Sequence, residues 1–145
     1  MIFLKTQDEI ELLRQSNLLV GRTLAEIAKI IKPGVTTRQL DKVAEEFIRD
    51  NGAEPAFLGY QGYPASACIS VNEQVVHGIP SDRVIEEGDI VSVDLGTFLK
   101  GFVGDSAYTF AVGEVSDEAR KLLEVTKEAL YKGAAQAKAG NRVGD

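Results

Sequence analysis

Two carboxylates and one imidazole are the residues of this chain best placed to do chemistry. Asp94 and Asp105 lie in the stretch DIVSVDLGTFLKGFVGDSAYTFAVG (Asp89 to Gly113), among Val, Leu, Ala and Phe, where a core would be expected. The only histidine, His77, sits in VVHGIP, between a β-branched pair and a turn made by Gly78 and Pro80. Converging carboxylates repel each other and burial penalises each charge, so such a pair calls for a shared proton or a cation. Divalent metal suits it best, because hard oxygen donors can bridge two ions about 3.5–4 Å apart. An imidazole that titrates near neutrality can exchange a proton or ligate metal. Plainer arrangements exist for each: a solvated sheet rim for the aspartates, a surface or capped position for the histidine.

Whether the two carboxylates meet depends on the turn between them. Strand alternation puts Ile90, Ser92, Asp94 and Gly96 on one face, and Asp105, Ala107, Thr109 and Ala111 on one face of the returning strand. A two-residue loop at Lys100-Gly101 pairs Leu99 with Phe102 and Asp94 with Ala107. Asp105 then lies diagonal to Asp94 on the same face, roughly 7–8 Å away backbone to backbone. A three-residue loop would send one aspartate to the opposite side. Gly101 favours the shorter loop, which needs positive φ.

The elements that must hold this hairpin are legible on either side. Thr6-Gln7-Asp8-Glu9 has the pattern of a capping box and opens a helix whose Ile10, Leu13, Val20, Leu24, Ile27 and Ile31 face inward until Pro33-Gly34. Thr36-Thr37-Arg38-Gln39 opens a second, with Leu40, Val43, Phe47 and Ile48 inward and Gly52 as its stop. The two form an antiparallel pair. From Phe57 to Val112 the period is that of strands, with SACISV (Ser66 to Val71) and QVVHGI (Gln74 to Ile79) short and the hairpin arms longer. A third helix starts at Ser116 and closes near Gly140, with Leu122, Leu123, Val125, Ala129, Leu130, Ala134 and Ala137 as its apolar face.

Bulk properties narrow the class. The 145 residues suit one domain, and 44% hydrophobic with 26% charged residues is ordinary for a soluble globular protein. Sixteen Lys plus Arg against 22 Asp plus Glu give a net charge of −6, with no basic stripe, so nucleic acid is not expected as a direct partner. A single cysteine, Cys68, excludes an intramolecular disulfide. The N-terminus is charged too early for a signal peptide and no apolar run reaches membrane length, so the expected location is cytoplasmic. The closing KAGNRVGD (Lys138 to Asp145) loosely echoes KPGVTTRQ (Lys32 to Gln39), as if a second helix pair were about to start.

Taken in order, GYQGYPASACISVNEQVVHGIP (Gly59 to Pro80) and EGDIVSVDLGTFLKGFVGDSAYTF (Glu87 to Phe110) strongly resemble bacterial type I methionine aminopeptidases. KTQDEIELLRQSNLLVGRTL (Lys5 to Leu24) and IKPGVTTRQLD (Ile31 to Asp41) extend the resemblance over essentially the whole chain. It implies an α+β pita-bread fold, an antiparallel sheet covered by helix pairs related by pseudo-two-fold symmetry. It implies metal-dependent removal of the N-terminal methionine from nascent polypeptides, with the ribosome as a candidate partner and no membrane. The resemblance carries two divalent ions (Co, Mn, Fe or Zn), with Asp94 chelating one and Asp105 bridging both, and His77 bonding the substrate around the scissile amide. Tyr60, Tyr63 and Cys68 match the wall of the methionine side-chain pocket, with Phe57 nearby. Asn72 matches a loop that holds a monovalent cation.

Two departures accompany the match. Gln61 stands where many relatives carry histidine. The family's remaining ligands, one histidine and two glutamates, have no counterpart here, so residues 1–145 are expected to be the N-terminal portion of the catalytic domain, apparently truncated and inactive alone. The apolar side of Leu122, Leu123 and Leu130 is then expected to promote self-association. The alternative is a pita-bread module that binds peptides or proteins without catalysis. Such modules typically lose the aspartates, which this chain keeps.

Overall fold

A computed structural model describes residues 3–145. Helix α1 (Gln7–Ile30) starts with the expected capping box: Thr6 Oγ1 accepts the Glu9 N–H while Glu9 accepts the Thr6 N–H. Helix α2 (Thr37–Asp50) repeats the device between Thr36 and Gln39. The strands are β1 (Glu54–Pro55), β2 (Ala67–Val71), β3 (Ile90–Leu99) and β4 (Phe102–Ala111), followed by α3 (Asp117–Ala135).

Strand β3 is the centre of an antiparallel sheet. One edge pairs with β2 and, further along, with β1; the other pairs along its full length with β4. Alternation divides the sheet into two faces of different chemistry. Ile69, Val71, Val91, Val93 and Leu95 point to the helices and join Leu19, Val20, Ile27, Leu40, Ala44 and Ile48 in one fully buried core. Cys68, Ser70, Ser92, Asp94, Asp105 and Thr109 occupy the other face.

The helix layer is keyed to the sheet by polar contacts as well as by apolar burial. Ser16 Oγ and Thr97 Oγ1 lie 2.8 Å apart, and Thr97 Oγ1 donates to the Ser16 carbonyl at 3.0 Å, both side chains being completely buried. Beside them Gly104 lets α1 approach β4: a Cβ there would come within 2.6 Å of Asn17 N. Only glycine permits that distance. Asn17 Oδ1 in turn accepts the Asp105 N–H at 3.3 Å. Helix α1 thus braces the strand that carries one of the two candidate carboxylates.

Three sequence expectations differ from the structure. Ile10, assigned to the inner face of α1, is exposed, and Leu19, Ser16 and Thr23 are buried instead. Gln74 to Ile79 is an irregular loop, not a strand, because its Gly78 amide goes to a side chain of β2 and Asn72 and His77 adopt positive φ. Helix α3 ends at Ala135, five residues before Gly140, and none of its residues is buried. No helix among the described residues is long and apolar enough to cross a membrane.

Candidate metal and peptide site

The hairpin turn at Lys100-Gly101 has φ values of 52° and 86°, the left-handed pair a two-residue loop demands. It fixes Leu99 opposite Phe102, Asp94 opposite Ala107 and Gly96 opposite Asp105. Both carboxylates therefore emerge on one face, as the shorter loop required. They line a cleft of about 590 Å³ together with Phe57, Tyr60, Gln61, Tyr63, Cys68 and His77. Every residue singled out from sequence for chemistry or for the pocket wall is in this cleft; Asn72 is not among its lining residues.

Burial pushes the Asp94 carboxyl above its usual range, and the negative charge of Asp105 adds to the push, with His77 opposing it. That is the electrostatic signature of an anionic pair held close and short of positive charge. Asp105 and Asp94 supply hard oxygen donors suited to a divalent cation. The donor set fits such an ion but is incomplete: among the described residues no cluster of three or more His, Cys, Asp or Glu side chains forms.

Around the carboxylates, each wall is set by backbone geometry. Cys68 lies directly opposite Asp94 across β2 and β3, and burial raises its thiol pKa, so it presents a neutral, soft surface. Gly96 leaves room for the pocket: a Cβ there would meet the Phe57 ring at 2.9 Å. Tyr60 and Gln61 lie in a short 3₁₀ turn, Tyr60–Gly62, entered through Gly59 at φ 81°. The Tyr63 hydroxyl has two acceptors, the Ala67 and Gly78 carbonyls, each at 3.1 Å, and burial raises its pKa.

His77 is exposed towards the cleft and has φ 58°. A non-glycine residue in that region costs on the order of 1–2 kcal/mol, so neighbouring contacts must hold it there. Beyond it, Thr37 Oγ1 donates to the Ser81 carbonyl and accepts the Ser81 N–H, tying the loop to the start of α2.

Sequence reasoning missed Asp41. Its Oδ1 accepts the Ser66 and Ala67 N–H groups at 3.0 and 2.8 Å, holding the first residues of β2. Burial nevertheless raises its pKa. It lies 25 and 26 residues from its partners, and no local pattern announces such a contact. Asp89 was missed in the same way: its buried carboxylate accepts from Asn72 Nδ2 at 2.7 Å and from the Glu86 N–H at 2.9 Å.

Known proteins resemble this chain in sequence and fold. The sequence profile of metallopeptidase family M24 matches residues 11–145. A methionine aminopeptidase of Clostridium acetobutylicum is 55% identical over 146 residues, covering 100% of this chain and 58% of the relative. Methionine aminopeptidase 1 of Bacillus subtilis is 51% identical over 143 residues, covering 99% and 58%. The crystal structure of methionine aminopeptidase from Rickettsia prowazekii superposes with a TM-score of 0.90 at 38% identity, over 92% of this chain and 54% of that one. The chain has the pita-bread fold expected from its motifs, and it spans somewhat over half the length of the relatives it matches.

Proposed function

The chain belongs to metallopeptidase family M24, and we propose that it is the N-terminal portion of a methionine aminopeptidase catalytic domain, carrying two of its metal-holding carboxylates. The observation that carries this reading is the hairpin register, which brings Asp94 and Asp105 to one face beside His77. The proposed substrate is a polypeptide that begins with Met, met as a nascent chain at the ribosome in the cytoplasm.

In this reading Asp94 and Asp105 would be the residues of this chain that hold the divalent ions. When bound, the ions supply the Lewis acidity that activates water and polarises the first peptide carbonyl. His77 donates a hydrogen bond to the scissile amide as it becomes tetrahedral, stabilising charge that develops only there. Phe57, Tyr60, Tyr63 and Cys68 wrap the methionine side chain in a soft, largely apolar wall and exclude water from the bond being cut. A monovalent cation at the Asn72 turn belongs to the same reading. Its support is the positive φ of Asn72 beside the buried Asp89 carboxylate.

Two carboxylates cannot hold a tight dinuclear centre alone, so this chain is expected to bind Mn²⁺ or Co²⁺ weakly and to turn over negligibly. Calorimetric titration with Mn²⁺ tests the site. Weak heat that vanishes in both Asp94→Asn and Asp105→Asn supports it; identical heat in the variants sinks it, and no heat in the unmodified chain favours a binding module. Steady hydrolysis of a Met-Ala-Ser peptide by this chain alone, above a metal-only blank, would refute the incomplete-site reading.

A further inference from the structure

His77 projects from a loop yet holds a backbone conformation that few side-chain-bearing residues adopt, and the contacts that hold it come from β2 and from Tyr63. The Gly78 N–H donates to Ser70 Oγ at 3.1 Å. The Gly78 carbonyl accepts the Ile69 N–H at 2.8 Å and lies 3.1 Å from the Tyr63 hydroxyl. Gly78 itself is buried, and a Cβ on it would fall on the Ile69 carbonyl, so no other residue can follow His77 at this approach. Ser70 is 4% exposed and sits on the cleft face of β2, two residues from Cys68. Ser70 is not among the residues that line the cleft, and its hydroxyl forms no hydrogen bond with either aspartate.

We infer that Ser70 and the hydroxyl of Tyr63 are positioning residues for His77, clamping the His77-Gly78 peptide to β2 so that the imidazole stays aimed at the reacting bond. The inference rests on the functional reading above only for the last clause; the clamp itself is a statement about conformation. Tyr63 then has two separable duties. Its ring walls the cleft, and its oxygen, turned away towards the Ala67 and Gly78 carbonyls, fastens the loop. The pairing explains a serine buried in an otherwise apolar strand. A small hydroxyl on β2 can accept the amide of a backbone pressed against it, which alanine or valine cannot.

The test uses Ser70→Ala, Ser70→Thr and Tyr63→Phe in this chain, read by NMR. Since His77 is the only histidine, its ring signals are unambiguous. Loss of one buried acceptor should speed exchange of the Gly78 amide on the order of tenfold in Ser70→Ala. His77 ring shifts should move towards those of a free imidazole in Ser70→Ala and Tyr63→Phe. Ser70→Thr, which keeps an oxygen, should restore both, and Val93 amide exchange should stay unchanged as a fold control. Unaltered Gly78 exchange and His77 shifts in both deletion variants would overturn the clamp. If Ser70→Ala does not fold, Tyr63→Phe decides alone, because it removes one oxygen and keeps the ring. In the longer protein, the same variants should lower kcat about tenfold for a Met-initiated peptide and leave KM within about twofold. A raised KM with unchanged kcat would overturn the positioning role by placing the hydroxyl in substrate binding. A longer protein inactive on every such peptide, with the exchange results as expected, would instead defeat the functional reading and leave the clamp standing.

Discussion

Helices α1 and α3 are both amphipathic, both capped by a hydroxyl at their first turn, and of comparable length, 24 and 19 residues. Five residues of α1 are buried; none of α3 is. Leu122, Val125, Leu130 and Tyr131 stand exposed on α3, while Val20 and Ile27 of α1 are sealed against the sheet. An apolar stripe records that a helix needs a covering surface, without saying that the covering surface lies in the same stretch of chain. The difference locates where this chain's own folding energy resides, in the two helices and four strands before α3.

The contrast is most open to attack by truncation. Ile27→Ala should cost about 2–4 kcal/mol through lost burial and the cavity left behind. Leu130→Ala should cost under about 0.5 kcal/mol, as exposed substitutions do. Urea unfolding of both variants checks this, and similar costs would show that α3 is covered after all. A second probe is association. The bare stripe should drive contacts between copies, and the pair Leu122→Glu with Leu130→Glu should shift light scattering towards the monomer. A monodisperse monomer of the unmodified chain at high concentration would break the expectation.

The smallest effect concerns Asp41, whose carboxylate joins α2 to the start of β2. With its carboxyl pKa raised by burial, the folded chain holds that proton to higher pH than the unfolded chain does. Its contribution is fully present below the ordinary carboxylate pKa, about 3.9, and is lost as pH rises through the raised value. Asp41→Asn keeps an acceptor oxygen for Ser66 and Ala67 but cannot titrate. The stability of the parent chain relative to this variant should therefore fall as pH rises above the ordinary carboxylate range; a pH-independent difference in urea midpoint would remove burial as the dominant influence on Asp41.

Local patterns carried the parts of the fold that depend on local rules. Thr6 and Thr36 mark helix starts because a cap is satisfied within three residues. Lys100-Gly101 fixes a register because loop length and strand period leave one solution. Contacts across distance left no such trace. Ser16 meets Thr97 over 81 residues, and a serine in an amphipathic helix ordinarily faces water. Val75 and Val76 suggested a strand through β-branching, yet Gly78 finds its partner in the Ser70 side chain and the segment coils instead. In the cleft, individual residues were recognisable while the braces behind them, Asp41, Asn17 and Ser70, were not.

The two-residue turn at Lys100 and Gly101 works as a counting device. One extra residue there would shift β4 by one position, moving Asp105 to the place of Ser106 on the helix side, driving Val103 against the backbone of α1 where even a methyl group does not fit, and handing the cleft the hydrogen atom of Gly104 in place of the carboxylate. Such an insertion would leave composition and charge almost unchanged and would erase the carboxylate pair. At this hairpin, parity of chain length decides whether an anion faces its partner or the wrong side of the sheet.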